Sequence, residues 1–436
     1  MSHDQTAQSV RVTDRIFNRR WLLVAPALLL LWVVGQVDKI NVSLVIADRP
    51  FLKELNLAGH NSELGGLMST FFLGYGVGIF LWGLLVDRFG PRLCALCGIL
   101  AWGALMFMSS RVGGINEFLL LRFLLGLAEG NLWPVGNTLT NRWFPVHEHA
   151  RAQSFWITGS TLGTAIGVPI VSILILAQGW RGALVFLSAI SLIPLFLFYF
   201  VSNWPSDHKA NGDAELPEIN SDRKIVPAAA RVTFLEMLRS KSFLLILTCQ
   251  FTATTTIFTM IQWLPTYLTV FRHVSFKAMA APLTLGYAIA TVLSLAIGYI
   301  ADRTMQRALT GAAISLGFMI VVLPACMVLS PSGSAVALAA LIFVPSALAA
   351  LNGALIHTLL PAEAIATGTG LYVGVANIAS AIGPALFGSL VTFLGGQFWG
   401  GFLFLALLNA IGAACYFVMS SPTKALASSP TISNIA

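Results

Sequence analysis

The chain has 436 residues, of which 57% are hydrophobic and only 10% charged, with 25 Lys and Arg against 18 Asp and Glu. A composition this apolar excludes a soluble globular domain and a disordered chain, and it predicts an integral membrane protein in contact with the lipid bilayer. The net charge of +7 calls for no nucleic-acid partner, because it follows from where the basic residues sit along the chain.

Residues 1–20 read as a polar N-terminal tail. The apolar run behind them is too long for the core of a signal peptide and lacks a small-residue cleavage pattern. Runs long enough to cross a bilayer predict twelve helices, at 21–47, 62–86, 92–111, 116–140, 152–177, 181–203, 242–271, 277–301, 308–329, 333–360, 365–394 and 398–420. Residues 204–241, rich in Pro, Asp, Glu, Lys and Asn, are a linker that separates a six-helix bundle at 21–203 from a second at 242–420, and 421–436 form a C-terminal tail. Lys and Arg decide orientation. With the N-terminus inside, seventeen of them fall in cytoplasmic segments and six outside, so both termini are predicted cytoplasmic. Cys94 and Cys97 form a C-x-x-C with no second pair or histidine cluster beside it, so no metal site is expected.

Charges inside these runs are informative, because one at mid-membrane costs about 2.5–3.5 kcal/mol even on insertion scales. Helix one carries Asp38-Lys39-Ile-Asn41, and helix four carries Arg122 and Glu129. The latter two are two helical turns apart and share one face, about 10 Å from each other along the axis. Running in opposite directions, the two helices bring Asp38, Lys39 and Arg122 to similar depth, with Glu129 nearer the midplane. Burial works against the ionised form of a carboxylate, so Asp38 and Glu129 are candidate proton-coupling groups. Arg122 stays charged and would stabilise whichever carboxylate, or bound anion, is ionised beside it. The C-terminal helices offer uncharged polar candidates: Gln250, Thr252, Thr254, Thr255, Thr256, Gln262, Asn352, His357 and Asn377. Tyr75, Trp133, Phe71, Phe72, Tyr287 and Tyr372 are candidate site-lining aromatics, and Gly74, Gly76, Gly78, Gly159, Gly163 and Gly167 let helices approach and slide.

The two halves repeat. Gly83-Leu-Leu-Val-Asp87-Arg88-Phe-Gly90-Pro-Arg92 ends helix two, and Gly298-Tyr-Ile-Ala-Asp302-Arg303-Thr-Met-Gln-Arg307 ends helix eight. With these strings the sequence resembles the major facilitator superfamily, whose fold is two pseudo-symmetric six-helix bundles. The resemblance implies that Gly83, Asp87, Arg88, Gly90, Arg92, Asp302 and Arg303 form a conformational switch, in which each aspartate pairs with arginine and neighbouring helix ends. The helix-one string, Arg122 to Pro134, Trp263-Leu264-Pro265 and Asn377 to Pro384 look like the anion:cation symporter family, which includes proton-coupled carriers of sugar acids and aromatic acids.

That likeness implies a secondary active transporter, monomeric, in the bacterial inner (plasma) membrane, taking up a small organic anion with protons. The proton gradient is its energy source and it needs no cofactor. It also implies proton sites at Asp38 and Glu129 and substrate binding by Lys39; Asn41, Tyr75, Trp133, Gln262 and Asn377, as polar or aromatic residues in spanning helices, are the candidates for further substrate contacts. Relatives commonly have arginine at the position of Lys39, so here a point charge replaces a two-pronged donor. Lys39 is thus open to a second role, as counter-ion of Asp38 or Glu129. Rival readings are a drug/proton antiporter, weakened by the displaced proline of Gly163-Thr-Ala-Ile-Gly167-Val-Pro169, and a membrane sensor of acids. No constellation of catalytic residues suggests an enzyme.

Overall fold

Inside a bilayer a backbone amide finds no water, so an apolar run of about twenty residues satisfies its hydrogen bonds only as a helix. The computed structural model describes residues 20–145, 148–204, 239–304, 306–359 and 365–420. Among them, eleven continuous helical stretches are long and apolar enough to span a membrane. The longest, Arg151–Phe200, is two helices in one, because Gly179 interrupts it with φ +69° and ψ 172°, a conformation open to glycine. Twelve spanning helices result, and the chain is an all-α, multi-pass membrane protein.

They are α1 (Arg20–Val45), α2 (Asn61–Phe89), α3 (Pro91–Ser109), α4 (Ile115–Trp143), α5 (149–178), α6 (180–200), α7 (Lys241–Phe271), α8 (Phe276–Thr304), α9 (Arg307–Met327), α10 (331–359), α11 (365–393) and α12 (Trp399–Ser420). A short helix, Arg49–Glu54, follows α1. The expected helices are all present, with ends displaced by a few residues. The largest displacements are three residues: α2, α4 and α8 end that much later than their apolar runs, because the polar residues there still fit a helix, α5 begins that much earlier, and α6 ends that much sooner.

Four of these helices open locally, and each opening precedes a proline. In α4 the regular helix stops at Glu129 and restarts at Leu132, ahead of Pro134. In α6 it stops at Ile190 and restarts at Ile193, ahead of Pro194. In α10 and α11 the gaps follow Ala340 and Ser380, ahead of Pro345 and Pro384. A proline has no N–H for the carbonyl four residues back and its ring crowds that turn, so the chain adjusts there. Glu129 and Ser191 both sit at such openings.

Contacts divide the chain into two compact units, Met1–Asn41 with Gly74–Ile225, and Val42–Leu73 with Val226–Ala436. In the first, α5 lies hard against α1: a Cβ on Gly163 would come within 2.5 Å of the Val33 carbonyl oxygen and 2.7 Å of the Gln36 Cβ. That closeness places the Asp38–Lys39 segment of α1 deep in packed protein. In the second unit, the end of α1 and the first half of α2 pack on α7 and α11. Gln262 Nε2 donates to the Leu64 carbonyl (3.2 Å), the Ala385 amide to Ser69 Oγ (3.2 Å), and Phe72 stacks on Phe258 at 3.7 Å between centroids.

The tails, most of the 204–241 linker, and the side chains of His357 and Asp302 lie outside the described residues.

Candidate functional site

The first unit buries four charged side chains together. Asp38 and Glu129 are 0% exposed, Arg122 1% and Lys39 7%. Removing even one charge from water costs several kcal/mol unless it is paired, and the pairing found is specific. Lys39 Nζ donates to Glu129 Oε2 at 2.8 Å, its contact with the Gly35 carbonyl is 3.4 Å, and it lies 4.9 Å from the centre of the Tyr75 ring. The ion pair thus joins α1 to the opening of α4, with an aromatic face on the ammonium, a cation–π contact. The Arg122 guanidinium lies within electrostatic reach of both Glu129 and Asp38. Asp38 Oδ2 accepts a hydrogen bond from Ser191 Oγ at 2.6 Å. The four charges predicted to form a cluster are therefore together.

The other nominated residues are distributed unevenly. Tyr75 is in the cluster, and the Trp133 indole N–H hydrogen-bonds its hydroxyl. Trp133 is half-buried and packs in an aromatic triad, 4.9 Å from Trp32 and 5.7 Å from Trp156. Asn41 is buried, with its amide donating to the Asp38 backbone carbonyl (2.8 Å) and facing Met106 Sδ (3.6 Å). Gln262 and Asn377 belong to the second unit. Gln262 holds the Leu64 carbonyl, and its own Oε1 is buried with no hydrogen-bond partner among the described residues. Asn377 donates to the Val373 carbonyl of its own helix (2.8 Å). Thr252, Thr254 and Thr256 do the same, to Cys249, Gln250 and Thr252, a common use of threonine within a helix.

Within the signature string, Gly90 makes the α2–α3 turn with φ +84°, and Arg92 fastens it to the end of α6, its amide to Asn203 Oδ1 (3.1 Å) and its guanidinium to the Tyr199 carbonyl (2.6 Å). Asp87 and Arg88 are exposed, and Asp87 makes no ion pair among the described residues. Gly83 faces open space and Arg303 is exposed.

Two groups escaped sequence patterning. Ser191 is one hydroxyl in an apolar run, and nothing in its neighbours distinguishes it. Tyr416 joins a buried network in the second unit, donating to Asn352 Oδ1, while Asn352 Nδ2 donates to Gln250 Oε1 (2.9 Å) and Gln250 Nε2 to Thr254 Oγ1 (3.1 Å). Gln250 and Asn352 are visible in the sequence as polar residues in apolar helices; nothing there singles out the tyrosine.

Residues 28–350 match the family model of the Major Facilitator Superfamily. The chain belongs to this superfamily. It is accordingly a transport protein and not an enzyme. Similar curated proteins include the hexuronate transporter of Bacillus subtilis, 26% identical over 395 residues, covering 87% of this chain and 90% of that one. The D-galactonate transporter of Escherichia coli O6:H1 is 24% identical over 430 residues, covering 93% and 97%. Among solved structures, a bacterial homologue of the human lysosomal transporter Spinster superposes with a TM-score of 0.71 at 16% identity, covering 92% of this chain and 98% of that one. That likeness concerns the fold.

Proposed function

We propose that this transporter is a proton-coupled symporter for the uptake of an organic carboxylate by alternating access, in a bacterial inner membrane with both termini cytoplasmic. The observation that carries this reading is the buried Lys39–Glu129 pair. The ammonium has three N–H donors but only one positive charge, and an ionised Glu129 beside it already neutralises that charge. With Glu129 ionised, Lys39 is engaged. When Glu129 takes a proton the pair loses its charge attraction, and Lys39 becomes available for the carboxylate of a substrate. Proton binding and acid binding then favour each other through one shared cation, with Arg122 steadying the remaining negative charge and Asp38 as a second proton site. The named substrates of similar proteins, hexuronate and D-galactonate, are carboxylates of this kind. Lysine in place of a two-pronged arginine fits a site that holds one oxygen at a time and sets orientation through other contacts.

The test is uptake by the purified protein in liposomes, with radiolabelled D-glucuronate and D-galactonate as probes. An outward-directed alkaline step, making the lumen alkaline and the medium acid, should drive accumulation above equilibrium and acidify the lumen in parallel. Binding without accumulation would favour a sensor, and accumulation indifferent to the pH gradient would remove proton coupling.

A further inference from the structure

Asp38 is fully buried, yet among the described residues its carboxylate has one hydrogen-bond partner. Ser191 Oγ lies 2.6 Å from Asp38 Oδ2, while Oδ1 is buried with none. The charged groups that face Asp38 are Lys39 on its own helix and Glu129 and Arg122 on α4; α6 contributes only the serine hydroxyl. The same Oγ is 2.8 Å from the Leu187 carbonyl oxygen. A serine hydroxyl has one proton to give and two lone pairs to accept with. It can therefore donate to Asp38 or to Leu187, not to both.

We propose that Ser191 is a positioning residue for Asp38 that serves both protonation states by turning its hydroxyl. With Asp38 ionised, the hydroxyl donates to Oδ2. When Oδ2 takes a proton that reaches it as hydronium, leaving water, the new carboxyl O–H donates to Ser191 Oγ, and the serine proton turns to the Leu187 carbonyl. Release to water reverses the turn. One O–H bond forms or breaks at Asp38, no heavy atom has to move, and neither state leaves the hydroxyl without an acceptor. The opening of α6 ahead of Pro194 supplies the site. The Leu187 carbonyl already accepts the Ser191 amide at 2.8 Å, and its second lone pair is free in direction for the hydroxyl.

This inference rests on Asp38 being one of the proton sites proposed above, so its test separates the two. Infrared difference spectra of the purified protein between acid and alkaline buffer, with no substrate, should contain a carboxylic C=O band that Asp38→Asn removes. In Ser191→Ala that band should move to higher wavenumber, because a hydrogen bond to the carboxyl group is lost. The pH at which it half-disappears should rise by about one unit, since a charge-assisted bond is roughly twice as strong as a neutral one. Ser191→Thr, which keeps the hydroxyl, should restore both. Ser191→Cys, a weak donor and acceptor, should fall between and stands in if the alanine variant does not fold. A band lost in Asp38→Asn but unmoved in the alanine or cysteine variant overturns the role of Ser191 alone. If Asp38→Asn removes no band, Asp38 is not a proton site and both readings fall.

Discussion

At the scale of single residues, Lys39 carries more than one demand. It is paired to Glu129 at 2.8 Å, faced by the Tyr75 ring, and sits next to Asp38 in sequence. Removing one partner of a buried pair leaves the other charge uncompensated, at about 3–5 kcal/mol if that charge persists. A carboxyl group can avoid that penalty by keeping a proton. Lys39→Ala is therefore expected to fold, with Glu129 neutral over a wider pH range, and to lose the hydrogen bond to the substrate. A hydrogen bond to a charged group contributes about 1.5–3 kcal/mol, so KM for D-galactonate or D-glucuronate should rise ten- to a hundred-fold in counterflow assays. Unchanged KM would make Lys39 a counter-ion and nothing more. The presence of these charges was legible in the sequence, because ionisable residues in apolar runs are rare. Which of them pair was not. The sequence leaves both Asp38 and Glu129 open as partners for Lys39, and only the packed helices place the ammonium on Glu129 and leave Asp38 to a serine.

At the scale of helices, glycine positions separate packing from motion. Gly163 on α5 meets the backbone of α1, whereas Gly83 on α2 faces open space. An added methyl in a packed seam typically costs about 1–3 kcal/mol through forced shifts, and here the obstacle is the Val33 carbonyl, which cannot turn aside. Gly163→Ala should lower the midpoint of thermal unfolding by several degrees. Gly83→Ala should leave it level or higher, since alanine is the better helix former by about 1 kcal/mol. Thermal melts of the two purified variants check this, and a Gly163→Ala protein as stable as the unmodified one would contradict the close seam. Twelve helices were readable as apolar runs, including the α5–α6 boundary near Gly179. The openings of α4, α6, α10 and α11 had a signal in Pro134, Pro194, Pro345 and Pro384. Their consequence, that Glu129 and Ser191 occupy two of them, depends on which face each helix buries.

For the whole molecule, the sequence repeat and composition predict the family fold, and the division of contacts adds what they do not contain. The end of α1 and the first half of α2 pack with the second unit, through the Leu64 carbonyl, Ser69 and Phe72. No periodicity in residues 42–73 announces that, because the same apolar faces would suit either neighbour. The energetic reach of the proposed transport depends on how many protons accompany one anion. Two protons with a monovalent acid carry one net charge, worth about 2.3 kcal/mol per 100 mV, which from the potential alone is about fifty-fold more accumulation per 100 mV than electroneutral symport. Imposing a potassium diffusion potential on liposomes at fixed pH gradient reads this number. Two working carboxylates, Asp38 and Glu129, predict accumulation that rises with an inside-negative potential. Indifference to the potential would mean that one proton moves with each anion.

The shared cation is the centre of the account, and Glu129→Gln tests it most directly. The variant keeps the shape of Glu129 and loses its charge and proton, so Lys39 should stand permanently available to a carboxylate. In liposomes this protein should still exchange D-galactonate or D-glucuronate in counterflow while failing to accumulate either against a gradient when the medium is made acid. Accumulation by Glu129→Gln equal to that of the unmodified protein, with the same dependence on pH, would contradict the account.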